Sequence, residues 1–138
     1  MTVTTVTGWL LDTHALLWML HGDKRLSKPA AQAIDGKLPL YHSSASFWEI
    51  AIKLSGKGFD FEVPDDWNQL YPDELKRIGV PLLSPTIDDC RLLQDLPKHH
   101  GDPFDPFDRL LVCQAKRLGL GIISVDKIID SYQVRRVW

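Results

Sequence analysis

Short apolar runs alternate along this chain with longer stretches in which apolar residues recur at spacings of three and four. The runs that predict buried strands cover residues 6–11, 38–42, 80–83, 122–125 and 134–138. The stretches between them have the period of amphipathic or buried helices, most clearly over residues 108–118, which end at Gly119. Strands that alternate with helices predict an α/β fold with a mostly parallel sheet covered on both faces.

Hydroxyl side chains mark several of the expected helix starts. Ser27, followed by Pro29, predicts an N-cap and first turn. Thr86 predicts the start of another helix, and Ser46 with Glu49 fits a capping box, in which the two side chains satisfy each other's backbone amides. These signals place the helix boundaries independently of the apolar pattern.

Four carboxylates stand at the ends of these predicted elements. Asp12 and Asp126 follow apolar strands, whereas Glu49 and Asp108 open helical stretches. Side chains at such positions can meet at one edge of a parallel sheet, where open α/β folds usually bind ligands. Because clustered carboxylates repel one another, a divalent cation is the simplest way to hold them together. Mg²⁺ and Mn²⁺ prefer such oxygen ligands.

Each of these acids also has a purely structural interpretation. Asp12 and Asp108 can be favourable charges near helix N-termini, Asp126 can form a turn, and Glu49 can belong to the capping box. Four acids at four corresponding element ends nevertheless favour a shared site. Such a site would bring metal-assisted hydrolysis within reach.

Three neighbouring side chains can assist that site. Lys53 lies four residues after Glu49 and can either form a surface ion pair with it or hold a phosphate. Arg109 follows Asp108 and can contact a phosphate or a facing subunit. His14, two residues after Asp12, is the histidine expected to reach the acids.

Size and composition fit one globular domain over residues 1–138. The chain is 44% hydrophobic and 25% charged, and its net charge of −2 argues against a broadly basic nucleic-acid surface. No stretch approaches the ~20 apolar residues of a membrane helix, and the first residues do not resemble a secretory signal, so a cytoplasmic protein is expected. Cys90 and Cys113 are expected as buried free thiols, and Trp18, Trp48 and Trp138 as core residues.

Five segments together resemble the PIN-domain ribonucleases, and within them the VapC-type toxins of bacterial toxin–antitoxin pairs. The matching segments are residues 10–18, 43–53, 105–115, 124–126 and 132–134. The resemblance implies a three-layer α/β/α sandwich that cuts RNA with Mg²⁺ or Mn²⁺. It implies an acidic quartet for metal binding and catalysis, formed by Asp12, Glu49, Asp108 and Asp126. Thr13 and Ser46 would be supporting hydroxyls, and Lys53 and Arg109 would steady the phosphate. A VapB-type antitoxin and a second copy of the chain would be its protein partners.

One departure from the family pattern lies before the last long helix. The family has a single Asp-Pro-Phe-Asp-Arg, whereas here Asp-Pro-Phe occurs twice, beginning at Asp102 and at Asp105. The helix that follows fixes the register of Asp108. Either copy of Asp-Pro-Phe can take the loop position of the single family motif. Asp105 is a secondary candidate for the site, and Asp102 is expected on the surface.

Two rival functions come from other classes of protein. A non-catalytic PIN-like module would bind RNA or protein without cutting it. A receiver-like domain also gathers acids and Mg²⁺ at strand ends, but it would need paired acids after the first strand, where Asp12 stands alone.

Overall fold

A computed structural model describes residues 5–98 and 106–138 of the chain. Within these ranges the strands are β1 (Trp9–Leu11), β2 (Leu40–Ser43), β3 (Leu82–Leu83), β4 (Gly121–Ile123) and β5 (Arg136–Val137). The helices are α1 (Thr13–His21), α2 (Lys28–Asp35), α3 (Ser44–Leu54), α4 (Trp67–Arg77), α5 (Ile87–Asp95) and α6 (Pro106–Leu118). A 3₁₀ helix, Lys127–Tyr132, follows β4. The predicted strands are all present, each shorter than its apolar run.

The sheet has the strand order β3-β2-β1-β4-β5, and all neighbouring strands are parallel. The chain adds strands on one side of β1 and then returns to its other side, so the order reverses between β1 and β4. Ligands of open α/β sheets bind at such a reversal, outside the carboxyl ends of the strands. The observed order also differs from the 2-1-3-4-5 order of receiver-like folds, which rules out that alternative.

Alternate residues of the central strands pack into separate hydrophobic cores on the two faces of the sheet. Leu10 and Ile122 pack against α6 in one core. Leu11 and Ile123 pack against residues of α1, α2 and α4 in the other. This alternation is the expected consequence of the two-residue period of a strand. The α/β/α sandwich with a parallel sheet is therefore confirmed.

Most predicted helix starts are correct, but the start of α3 is not. Ser27 caps α2 by accepting a hydrogen bond from Ala30 N at 3.2 Å, and Thr86 forms a capping box with Asp89. In α3, however, the cap is Ser43. The capping box predicted for Ser46 and Glu49 is wrong, because the helix begins earlier, directly where β2 ends.

The cysteine and tryptophan predictions are partly correct. Cys113 is buried, but Cys90 is exposed, and both are free thiols. Trp18 is buried against the ring of Trp138, with 5.5 Å between the ring centroids. Trp48, expected in the core, is instead 62% exposed. None of the helices in the described ranges is long and apolar enough to cross a membrane.

Replacing Gly121 by alanine is expected to destabilise the sheet by about 1–3 kcal/mol through overpacking. A Cβ there would lie 2.7 Å from Cε3 of the buried Trp9 and 3.0 Å from the carbonyl oxygen of Arg135. Gly56→Ala is the matched control, because its Cβ would come no closer than 3.8 Å to Lys53 O. Urea unfolding measures both variants. Equal free energies of unfolding for the two would contradict the packing of Trp9 against β4.

Candidate active site

A cavity of about 430 Å³ lies at the carboxyl edge of the sheet, where the strand order reverses. All four predicted acids line it, and they come from four different places in the chain. The lining residues are Asp12, Thr13, His14, Glu49, Lys53, Asp108, Val125 and Asp126. The structure thus brings together the predicted quartet, together with three of the residues expected to assist it.

Asp12 is buried beside the cavity, and its pKa differs from the usual value of an aspartate. It follows β1 and caps α1, where its Oδ1 accepts a hydrogen bond from Ala15 N at 2.8 Å. Burial raises the pKa of Asp12 to about 6, and the charges of Glu49 and Asp126 add to the rise. Hydrogen bonds from Ser124 and from Ala15 N offset only part of this rise.

Glu49 lies in the second turn of α3, and only one of its two oxygens is paired. Its Oε2 lies 3.4 Å from Lys53 Nζ, so the predicted ion pair is present. Its Oε1 is buried and has no hydrogen-bond partner among the described residues. A buried charged oxygen without a partner is costly, which is typical of an atom reserved for a ligand. Because Ser43 caps this helix, capping does not explain Glu49.

Asp126 and Asp12 are linked through a serine that sequence reasoning did not single out. Ser124 is fully buried, hydrogen-bonds to Asp12, and its Oγ accepts from the backbone N of Asp126 at 3.0 Å. Asp126 caps the 3₁₀ helix by accepting from Ile128 N at 3.1 Å. The signal for Ser124 was its position directly after β4, beside the carboxyl end of β1.

The two predicted supporting hydroxyls form one buried hydrogen bond beneath the acids. Thr13 Oγ1 donates to Ser46 Oγ at 3.1 Å, which joins the first turn of α1 to the first turn of α3. Thr13 lines the cavity, whereas Ser46 acts through Thr13. This bond links the helix that follows Asp12 to the helix that carries Glu49.

The donor set suits a hard cation, although the side chains do not form a closed coordination shell. Among residues 5–98 and 106–138, no three His, Cys, Asp or Glu side chains stand close enough to hold one metal ion. The four acids share one cavity, and mutual repulsion favours their separation. Four carboxylates with the unpartnered Oε1 of Glu49 fit Mg²⁺ or Mn²⁺ better than zinc, which prefers histidine and cysteine and would find only His14 in this cavity.

A family model described as the PIN domain matches residues 9–134. The chain belongs to the PIN-domain family. The resemblance inferred from the five sequence segments is therefore confirmed. The family match includes all four acids of the cavity.

Known proteins are similar to this PIN domain in sequence or in fold. Ribonuclease VapC22 of Mycobacterium tuberculosis is 28% identical over 137 residues, which cover 96% of this chain and 100% of that protein. The fold is similar to that in VapBC2 from Rickettsia felis bound to a promoter DNA fragment, with a TM-score of 0.66 and 12% identity. That match covers 93% of this chain and 96% of the other. VapBC-1 from nontypeable Haemophilus influenzae gives a TM-score of 0.59 at 20% identity, covering 93% and 95% of the two chains.

Arg109 does not line the acidic cavity of this PIN domain. Its Nη2 donates to Leu96 O at 2.9 Å, and its Nη1 donates to Pro97 O and to the hydroxyl of Tyr132, both at 3.0 Å. The side chain is buried and does not line the acidic cavity. The expected contact of Arg109 with a substrate phosphate is therefore not supported. The guanidinium instead connects the segment after α5 to α6 through these hydrogen bonds. The position of Arg109 next to Asp108 in the sequence did not predict this structural role.

The two alternative acids, Asp102 and Asp105, lie outside the described residues. The predictions that Asp105 is a secondary candidate and that Asp102 is displaced onto the surface stay predictions. Asp108 occupies the cavity in the register that its helix predicted.

The substitution Asp12→Asn is expected to stabilise the PIN domain increasingly as pH rises. A carboxyl with a raised pKa binds more protons in the folded than in the unfolded chain between about pH 4 and pH 6. Its ionisation therefore lowers the free energy of unfolding as pH rises through that window. Asparagine avoids this loss and still caps a helix. The advantage of the variant should grow by up to about 3 kcal/mol between pH 4 and pH 7.

Urea unfolding in EDTA at several pH values measures this difference. Asp35→Asn is the control for removing an exposed carboxylate, because Asp35 ends α2 away from the cavity. Parallel pH profiles for Asp12→Asn and the unsubstituted chain would show that folding does not raise the pKa of Asp12.

Proposed function

We propose that this PIN domain is a metal-dependent endoribonuclease that hydrolyses RNA phosphodiester bonds as the toxin of a type II toxin–antitoxin pair. One observation carries the proposal: four carboxylates from four separate elements line a single cavity, and Glu49 presents to this site an oxygen without a partner. Its relative VapC22, at 28% identity, is named a ribonuclease.

The residues of the cavity would have different roles in such a reaction. Asp12, Glu49, Asp108 and Asp126 would hold Mg²⁺ or Mn²⁺, which supplies an acidified water and neutralises charge on the phosphate. Ser124 and the Thr13–Ser46 hydrogen bond hold these acids in position. Lys53 pairs with Glu49 and places a positive charge in the wall of the cavity, where it can contact the phosphate. Hydrolysis by water needs no covalent intermediate on the enzyme.

We also propose protein partners for this chain. The VapBC structures with the same fold are toxin–antitoxin complexes by name or family, which supports a VapB-type antitoxin as partner. Trp48 is 62% exposed and its ring lies 5.2 Å from that of Phe107, so the residues that precede Glu49 and Asp108 in the sequence form an aromatic pair. Such aromatic side chains are typical of protein interfaces. Homodimer formation and a cytoplasmic location are part of the same proposal.

Asp12→Asn and Asp108→Asn should each reduce RNA cleavage at least about 100-fold, which corresponds to roughly 3 kcal/mol of barrier. Both remove a carboxylate that would hold the metal while preserving the size of the side chain. The assay follows new ends in total cellular RNA with Mg²⁺ or Mn²⁺, with EDTA as a further control and Asp35→Asn as the matched variant. Undiminished cleavage by both site variants would reject the assignment. RNA binding without any cleavage by the unsubstituted protein would favour the non-catalytic alternative.

Glu49→Gln should weaken Mn²⁺ binding at least about tenfold, because an amide oxygen replaces the unpartnered carboxylate oxygen. Isothermal titration with Mn²⁺ measures this without reference to activity. Glu74→Gln is the control, since Glu74 pairs with Arg77 on α4, away from the cavity. Equal Mn²⁺ affinity in the two variants would remove Glu49 from the metal site.

A further inference from the structure

A second cavity, of about 420 Å³, adjoins the acidic one and shares two wall residues with it, His14 and Lys53. Its volume lies within the range of about 300–1,000 Å³ that is usual for ligand pockets. The turn that follows α3 forms the far wall, including Lys57 and Phe59. A polymer whose reacting phosphate lies in the acidic cavity can therefore place the adjacent monomer in this second cavity.

The charge of the second cavity is opposite to that of the first. Three cationic side chains and one carboxylate line it: Arg25, Lys53, Lys57 and Asp60. The acidic cavity has four carboxylates and one lysine. An anionic polymer is repelled by the acids until a cation is bound there, whereas the second cavity attracts its phosphates directly.

The three cations are not equally available to a ligand. Arg25 is held by Asp23 at 2.9 Å and by Asp60 at 2.7 Å, so its charge is compensated within the fold. Lys53 is paired with Glu49. Lys57 is exposed and has no ion pair anywhere in residues 5–98 or 106–138. Lys57 is thus the cation of this cavity that can neutralise an added phosphate.

Aromatic rings also line the second cavity, those of His14, Trp18 and Phe59. The rings of His14 and Phe59 lie 6.2 Å apart at 79°, and His14 also meets Trp18 at 5.5 Å. Phe59 is only partly buried. Single-stranded nucleic acids are bound by this combination of ring faces for bases and cations for phosphates.

We infer that this second cavity binds the nucleotide next to the scissile phosphate, with its base against Phe59 and His14 and its phosphate on Lys57. The inference rests on the proposed function for the choice of RNA as the polymer. Phe59 and Lys57 are then residues that position the substrate and influence which base is accepted, while the acids act on the neighbouring phosphate.

The test measures binding of a fluorescein-labelled, mixed-sequence single-stranded RNA of twelve nucleotides by anisotropy at several KCl concentrations. All proteins carry Asp108→Asn and the buffer contains EDTA, so that binding is separated from cleavage. Lys57→Ala should raise the Kd about 3- to 10-fold and reduce the slope of log Kd against log[KCl] by about 0.7, the value for one phosphate contact on a single strand.

Phe59→Leu should raise the Kd about fivefold and leave the salt slope unchanged, because it removes a ring face but no charge. Leucine preserves the apolar contacts that Phe59 makes beside α3, so the fold is retained. Lys37→Ala is the matched lysine control, since Lys37 is exposed before β2, at the opposite edge of the sheet, and should change neither quantity.

The outcomes separate this inference from the proposed function. If the unsubstituted protein cleaves RNA but neither Lys57→Ala nor Phe59→Leu changes binding beyond the Lys37→Ala control, the nucleotide site is rejected and the nuclease stands. If the unsubstituted protein never cleaves RNA, yet both variants weaken binding with the expected salt slopes, the nucleotide site stands and the nuclease falls. Where cleavage occurs, an RNA that is abasic beside the mapped cut should erase the effect of Phe59→Leu on KM, and a persisting effect would overturn the base contact.

Discussion

The cost of burying carboxylates, to which their mutual repulsion adds, is the constraint on which the site of this molecule depends. Asp12 and Glu49 are both about 5% exposed, and each faces further acids across one cavity. Taking charges out of water is unfavourable, and placing like charges together adds to the cost. The fold offsets part of this cost with one lysine, helix and turn amides, and a buried serine. The part of the cost that is not offset favours the binding of a cation or of protons by these carboxylates.

The strand order of the sheet brings the four acids to a single site. The acids lie far apart along the chain, but Asp12 and Asp126 follow β1 and β4, which are hydrogen-bonded neighbours at the point where the order reverses. The helices that follow β2 and precede β4 bring Glu49 and Asp108 to the same edge. The two hydrophobic cores that hold the sheet between its helices thereby determine the geometry of the polar site.

Much of this arrangement was predictable because it depends on local signals. The apolar runs before Asp12 and Asp126 predicted buried strands, and a parallel sheet places their ends together. The predictions that failed depend on long-range contacts. The packing of α6 decides whether Arg109 faces a ligand or the backbone of Leu96. Ser46 was predicted to cap α3, but the helix begins directly after β2, so Ser43 is its N-cap. Trp48 has the apolar character of a core residue, but its side of α3 faces outwards.

The buried guanidinium of Arg109 has a consequence for its neighbour Asp108. It anchors the backbone at Leu96 and Pro97 to α6, one residue away from Asp108. A buried cation is costly without hydrogen-bond partners, so any shift of α6 that carried Arg109 away from these carbonyl oxygens would be unfavourable. The cation thereby resists displacement of the adjacent carboxylate without touching the cavity that this carboxylate lines.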